Sequence, residues 1–271
     1  SFAQPAMVVV GAGFISYFAT QLGIPFIFAF IIGIILTGLL GFILERTFLR
    51  PMVGEPVFSV AVLTIGIDIL LRVVLDNWIG INPKYMGDPF PSYGNFGSLN
   101  IGGLTVKYLE VTALITSLVL ISILSVFFKR SKYGVAMRAT SLDQEAALAQ
   151  GINVGRVFGL VWFIAGLLAA FAGFFITGGF NTLTNTSFIS ALRALPAVVI
   201  GGLDSITGAI IGSLIIGLTQ AYVGYYQFDI ESAYNIKLGN GFSIVAPYLI
   251  MFVILLVKPH GLFGTEEVER V

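Results

Sequence analysis

The sequence predicts an all-α integral membrane protein: a polytopic helical bundle with inverted repeats and one broken or re-entrant helix. Three observations carry this expectation. Of the 271 residues, 57% are hydrophobic and 10% charged, against roughly 45–50% and about 25% in an ordinary soluble domain, and the mean hydropathy is +0.96. Eight apolar stretches reach or approach the about 20 residues that a helix needs to cross about 30 Å of hydrocarbon. A run beginning at Pro5 returns in similar form at Pro196. The apolar runs are continuous and lack the alternation of a strand with one lipid-facing and one lumen-facing side, which excludes a closed β-barrel.

The expected spans are Pro5–Gln21, Pro25–Leu44, Val57–Leu75, Val106–Phe128, Val157–Thr177, Phe188–Leu203, Ile206–Tyr226 and Phe242–Val257. The first, sixth and eighth are short. The sixth contains Arg193 followed by a break expected at Pro196, and interrupted backbone at membrane depth is tolerated only against protein or water. A pore-forming bundle fits this better than a passive anchor. We read residues 1–271 as a single transmembrane domain.

Charge and composition exclude several functions. Lysine plus arginine (14) equals aspartate plus glutamate (14), so no basic excess exists to neutralise a nucleic acid. With no cysteine and one histidine, His260, disulfides, iron–sulfur clusters, thiol catalysis and ordinary zinc sites lack ligands. No metal and no catalytic residues are expected. A Gly-x-x-x-x-Gly-Lys-[Ser/Thr] phosphate loop is also missing, so the chain does not itself hydrolyse ATP.

Loops rich in lysine and arginine stay in the cytoplasm. Arg46, Arg50, Lys129, Arg130, Lys132, Arg138, Arg156, Lys258 and Arg270 fall on one side of the threaded chain, and only Lys84, Lys107 and Lys237 on the other. The carboxyl tail is then cytoplasmic. Ser1–Pro5 enters an apolar stretch with no charged flank and no cleavage pattern, which reads either as a start partway through a longer chain or as a start chosen by design.

Pro5-Ala-Met-Val-Val-Val-Gly-Ala resembles Pro196-Ala-Val-Val-Ile-Gly-Gly, and each precedes a glycine-spaced helix, Gly33 to Gly41 and Gly208 to Gly217. With the orientation above, the copies run in opposite directions, as in transporters whose halves rock about a central pathway. Pro-Ala-Val runs also recur by chance in apolar chains. In Gly208–Gly212 and Ser213–Gly217, small residues four apart let helices approach closely.

The segment 129–156 lies outside the membrane and holds Thr140-Ser-Leu-Asp-Gln-Glu-Ala-Ala-Leu-Ala-Gln-Gly151. It reads as a short helix: Ser141 caps the first turn, Gln144 stands three residues on as in a capping box, and Gly151 stops it. Leu142, Ala146 and Leu148, with Ala147 and Ala149 beside them, form an apolar knob that suits either a groove on a partner or packing on its own bundle.

Tyr133–Asn153, with the small-residue run Gly166-Leu-Leu-Ala-Ala-Phe-Ala-Gly173, closely resembles permeases of branched-chain amino acid ABC importers of the LivH/LivM type. So do Glu45-Arg-Thr-Phe-Leu-Arg-Pro51, Ala194–Gly212 and Lys258-Pro-His-Gly-Leu-Phe-Gly264. The shorter form and the Glu-Glu-Val-Glu-Arg-Val ending resemble LivH more. The resemblance implies a type II importer permease with a further span upstream. It makes Ser141–Gln150 the coupling helix seated in a cytoplasmic ATPase subunit, with Arg138, Asp143 and Glu145 as polar contacts. It also implies a second permease (a sister LivM-like chain or a second copy), two ATPases carrying ATP and magnesium, and an external substrate-binding protein whose docking surface includes the Asp76–Lys107 loop, whereas the residues themselves read Trp78 and Tyr85 as anchors of that loop at the membrane interface. The location implied is a bacterial or archaeal cytoplasmic membrane. Ser1-Phe-Ala-Gln-Pro5 departs from the family's usual Asn-Phe-Ala-His-Gly, so Gln4 marks an altered position near the pathway. Substrates open at this point are leucine, isoleucine and valine, or urea, short amides or another amino acid.

Ionisable groups in hydrocarbon are costly unless paired or wet. Asp68 and Arg72, four apart on one helix, read as a structural ion pair. Arg193 has no partner at helical spacing and either attracts a substrate carboxylate or snorkels outward. With Gln4, Pro196, Gly201 and Gly202 it forms the candidate pathway set. Asp204 reads as a helix cap. A secondary transporter driven by an ion gradient is the rival reading, with Asp68 as its one candidate carboxylate.

Overall fold

The computed structural model describes residues 1–79, 84–87, 97–101, 104–178, 182–184, 187–239 and 241–264. Contacts divide the chain into two compact units, Ser1–Ala191 and Leu192–Val271.

In the first unit, α1 (Gln4–Ser16) begins with Pro5 in its first turn, where a missing N–H costs nothing. A helix apolar on every side belongs in a core, and α1 is buried along nearly its whole length, against α2 (Phe26–Leu44), α3 (Val57–Ile79) and α7 (Val154–Gly178). A π-helical turn, Tyr17–Gln21, continues it. Phe14 and Tyr17 pack on Trp78 of α3 at ring separations of 5.4 and 5.3 Å. α4 (Tyr108–Arg130) leads through α5 (Lys132–Leu142) and α6 (Gln144–Ala149) into α7. Only Leu109 of α4 is buried, while Leu114, Leu118 and Ile123 are exposed, the surface expected of a helix set against lipid or another chain.

Small residues set the spacing of α1, α2 and α7. A Cβ added at Gly11 would lie 2.6 Å from the Ala170 Cα, and one at Gly166 would strike the Thr37 carbonyl oxygen. Gly166→Val should therefore destabilise the unit by at least about 2 kcal/mol through overpacking, read as a lower thermal midpoint in detergent.

Two short antiparallel pairs lie outside the all-α expectation: β1 (Lys84–Tyr85) with β4 (Thr182–Leu183), and β2 (Ser98–Ile101) with β3 (Leu104–Lys107). The expected loop from Asp76 to Lys107 starts later than anticipated and carries strands of its own. α3 runs on to Ile79, and β3 extends to Lys107, so α4 starts at Tyr108 rather than Val106. The middle of that loop, 88–96, and the ending 265–271 lie outside the described residues.

In the second unit, α8 (Ser187–Leu192) ends where the unit begins, α9 (Ala194–Gly201) follows Arg193, and α10 (Ile206–Tyr234) and α11 (Phe242–Val257) complete it. The helix breaks as expected, but at Arg193 instead of Pro196. Pro196 sits in the first turn of α9, where its lack of an N–H is harmless. Ser205, not Asp204, caps α10 by accepting from the Gly208 N–H at 3.0 Å. α9 and α10 touch backbone to backbone, Gly201 on Gly208 and Ala197 on Gly212. The tail motif has a mechanical role: the Leu262 and Phe263 N–H groups donate to the Ile200 and Gly201 carbonyls at 2.8 and 3.0 Å, closing the carboxyl end of α9. Gly202 (φ 105°) and Gly261 (φ 81°) supply the left-handed backbone for this crossing.

Five helical segments among the described residues are long and apolar enough to cross a membrane: Phe26–Met52, Phe58–Trp78, Tyr108–Arg130, Val154–Gly178 and Ile206–Tyr234. The three stretches that are short in sequence are α1, the broken α8 and α9, and α11. The Pro5 and Pro196 runs each start a helix that packs on the glycine-spaced helix after it: Ile15 on Gly33 in one unit, Gly201 on Gly208 in the other.

Candidate functional site

Ser131 caps α5, its hydroxyl accepting from the Gly134 N–H at 2.8 Å. α5 runs through Ser141, whose hydroxyl donates back to the Arg138 carbonyl at 2.9 Å. The cap of the second helix is therefore Asp143 rather than Ser141: its carboxylate accepts from the Ala146 N–H at 2.9 Å, and a negative side chain suits a helix amino end. The expected single helix is thus a corner, with Asp143 in extended backbone between α5 and α6. Gly151 (φ 79°) ends α6, and the Gly151 and Ile152 N–H groups turn back to Leu148 and Ala147, a helix stop that glycine favours.

The corner presents Leu142 and Leu148 to solvent, 87% and 56% exposed. Asp143, Glu145 and Ala146 are exposed beside them, and Ala147 turns inward and is buried. Both leucines are thus exposed on helices whose amino ends are capped by side chains. Arg138 is engaged within the chain, donating to the Phe128 carbonyl at the carboxyl end of α4, where a cation is favourable.

A linkage not anticipated from sequence ties this corner to the bundle. Glu45, 1% exposed, ends α2 within a π-helical turn. Arg50 grips both of its carboxylate oxygens, at 3.3 and 3.0 Å, and donates to the Gly155 carbonyl at 2.8 Å. Asn153 caps α7 by accepting from the Arg156 N–H at 3.0 Å. The first turn of α7, which follows the corner, is thus fixed to the end of α2 through one guanidinium. A signal for it was present in the sequence: a single acid closing an apolar run next to two arginines. Its five-residue spacing suits a π turn better than an α-helix, so the pairing was not read.

Asp68 and Arg72 form the expected pair, and the structure adds a third member. The other Asp68 oxygen accepts from the Ala6 N–H at 3.2 Å, so a carboxylate of α3 caps α1. The Thr64 hydroxyl accepts from the Phe2 N–H at 3.1 Å, and the Arg72 guanidinium lies 3.6 Å over the Phe188 ring.

The pathway candidates fall in both units. Gln4 is half-buried at the start of α1. In the second unit Pro196, Gly201 and Gly202 are buried in the packing around α9, while Arg193 is half-buried with an Nε atom that has no partner among the described residues. The Tyr248 hydroxyl donates to the Leu192 carbonyl at 3.4 Å, holding the break from α11.

Comparison with known proteins gives the context for this arrangement. The family described as branched-chain amino acid transport system / permease component matches residues 1–257. The chain belongs to this family. It is 27% identical to the high-affinity branched-chain amino acid transport system permease protein BraD of Pseudomonas aeruginosa, covering 90% of this chain and 76% of that protein. It is 30% identical to LivH of Salmonella typhimurium, covering 89% and 75%, and 28% identical to the probable branched-chain amino acid transport permease protein LivH of Methanocaldococcus jannaschii, covering 98% and 83%. No solved structure matches the chain. As a family member it is a multi-pass membrane permease of an ABC importer, a transport subunit and not an enzyme.

Proposed function

We propose that the chain moves branched-chain amino acids inward through alternating access, with the α5–α6 corner acting as the coupling element for a cytoplasmic ATPase. Two such ATPases carry the ATP and magnesium, a second permease completes the pathway, and an external binding protein delivers solute. The carboxyl tail is cytoplasmic. The observation that carries this reading is the exposed Leu142 and Leu148 pair on a capped corner, linked through Arg50 to α2 and through Asn153 to α7. A push on the corner then moves two packed helices rather than a loose loop. An ion-driven mechanism lacks a carboxylate to work with at Asp68, which is engaged by Arg72 and the Ala6 N–H.

The test is leucine uptake into vesicles holding the permeases and ATPases, with binding protein and ATP supplied. The double substitution Glu145→Ala and Leu148→Arg should lower uptake at least tenfold while membrane insertion and thermal midpoint stay unchanged. Normal uptake by that variant removes the coupling role. Arg193, a cation with an unused donor at a helix break, is proposed to attract the solute carboxylate. Arg193→Gln should weaken uptake of leucine several-fold more than that of a neutral amide analogue, and equal effects would return it to a structural role.

A further inference from the structure

Between the end of α2 and the start of α7 lies a cleft with a polar rim of Arg46, Arg50, Asn153 and Arg156 and walls that include Phe42 and Phe163. Three arginines line it, and their charges are not used alike. Arg50 is balanced by Glu45. Arg46 and Arg156 are exposed and make no ion pair among the described residues. The cleft therefore carries two uncompensated positive charges at an aromatic-walled mouth, and such charges attract an anion with several acceptor oxygens.

The position of the cleft along the helices narrows the choice of anion. Arg46 lies two residues beyond the last residue of the apolar run Phe26–Leu44, and Arg156 lies in the first turn of α7, so both arginines sit where the apolar spans meet the polar boundary. Ile43 and Leu39 lie three and seven residues before Arg46, on the same helix face. Both are exposed, at 53% and 44%. An apolar strip thus leaves the mouth and runs towards the middle of the span. A free phosphate has no use for such a strip, whereas a phospholipid would place its acyl chains along it and its headgroup between the arginines.

We propose that this cleft binds the headgroup phosphate of an anionic phospholipid in the leaflet on that side of the membrane. The inference rests on the chain spanning a membrane and is independent of the solute and of the coupling role of α6. Because Arg50 touches both Glu45 and Gly155, a lipid held beside it stabilises the junction of α2 with the first turn of α7.

The experiment is native mass spectrometry of the full chain, purified with the subunits that accompany it, from micelles containing equal amounts of phosphatidylglycerol and phosphatidylcholine. The wild type should retain phosphatidylglycerol over phosphatidylcholine by roughly thirtyfold, on the basis of about 1 kcal/mol for each of Arg46 and Arg156 near the surface. Arg46→Gln, an exposed substitution that disturbs no packing, should lower that preference about fivefold, and the double variant with Arg156→Gln should abolish it. Arg130→Gln at the end of α4 should leave it intact. An unchanged preference in Arg46→Gln overturns the proposal. Displacement of phosphatidylglycerol by an equal concentration of inorganic phosphate would also overturn it, because the occupant would then be a free phosphate.

Discussion

Asp68→Ala is expected to destabilise the first unit by about 3–5 kcal/mol, the range measured when one partner is removed from a buried charge pair. Two losses combine. Arg72, which rests over the Phe188 ring, keeps its charge without its carboxylate partner, and the Ala6 N–H loses its acceptor at the start of the most buried helix. Asp68 is 5% exposed, so water does not readily replace it. Asp68→Asn should cost less, because an amide oxygen still accepts from Ala6. The double variant Asp68→Asn, Arg72→Gln should be milder than the sum of its parts, since neither side then leaves a bare charge. Thermal midpoints of the wild type, Asp68→Ala, Asp68→Asn, Arg72→Gln and the double variant in one detergent measure this. A near-neutral Asp68→Ala would show that the pair contributes nothing to the bundle.

Arg50→Ala is expected to cost about 3 kcal/mol by the same reasoning, applied to a carboxylate with even less access to water. The consequence for transport should be larger than the loss in stability suggests. Without the guanidinium, the Gly155 carbonyl and Glu45 are no longer joined, and motion of the α5–α6 corner reaches α2 only through the packing of α7 against it. Arg50→Lys should restore part of the stability and little of the coupling, because one ammonium does not hold both carboxylate oxygens and a carbonyl in the fixed geometry of a guanidinium fork. Midpoint and ATP-dependent uptake, measured on the same preparations, separate the two effects. Uptake falling no further than folded protein would assign Arg50 a purely structural role.

Much of the fold was legible because long apolar runs and short ones differ in what they do. The five long runs became helices able to span, while Pro5–Gln21, which has glycine and alanine instead of large side chains at its centre, became the buried axis. The Asp68–Arg72 pairing followed from helical spacing. What was not legible depended on partners distant in sequence: Ala6 sixty-two residues before Asp68, and Gly155 far beyond Arg50. Local competition misplaced two caps by one or two positions, since Ser141 and Asp143 both precede the same alanines, as Asp204 and Ser205 both precede Ile206. In each case the residue in extended backbone took the cap. The break in the sixth span was read at Pro196 because proline is the usual breaker, yet a proline in the first turn of a helix breaks nothing. The Lys258–Gly264 motif was recognised only by resemblance. Its physical reason, the capping of α9 carbonyls by a returning chain, appears once the two segments are brought together.

The central claim is that the α5–α6 corner seats in an ATPase. The chain contains no cysteine, so L148C introduces the sole thiol and places it on the exposed face of α6. Membranes from the native host expressing that variant can be treated with a short photoactivatable thiol cross-linker and the product identified by mass spectrometry. The account predicts a cross-link to a P-loop ATPase, lost when the same thiol is placed at Leu118 on the exposed face of α4. A Leu148 thiol that joins only lipid or its own chain, in membranes that still take up leucine, would contradict it.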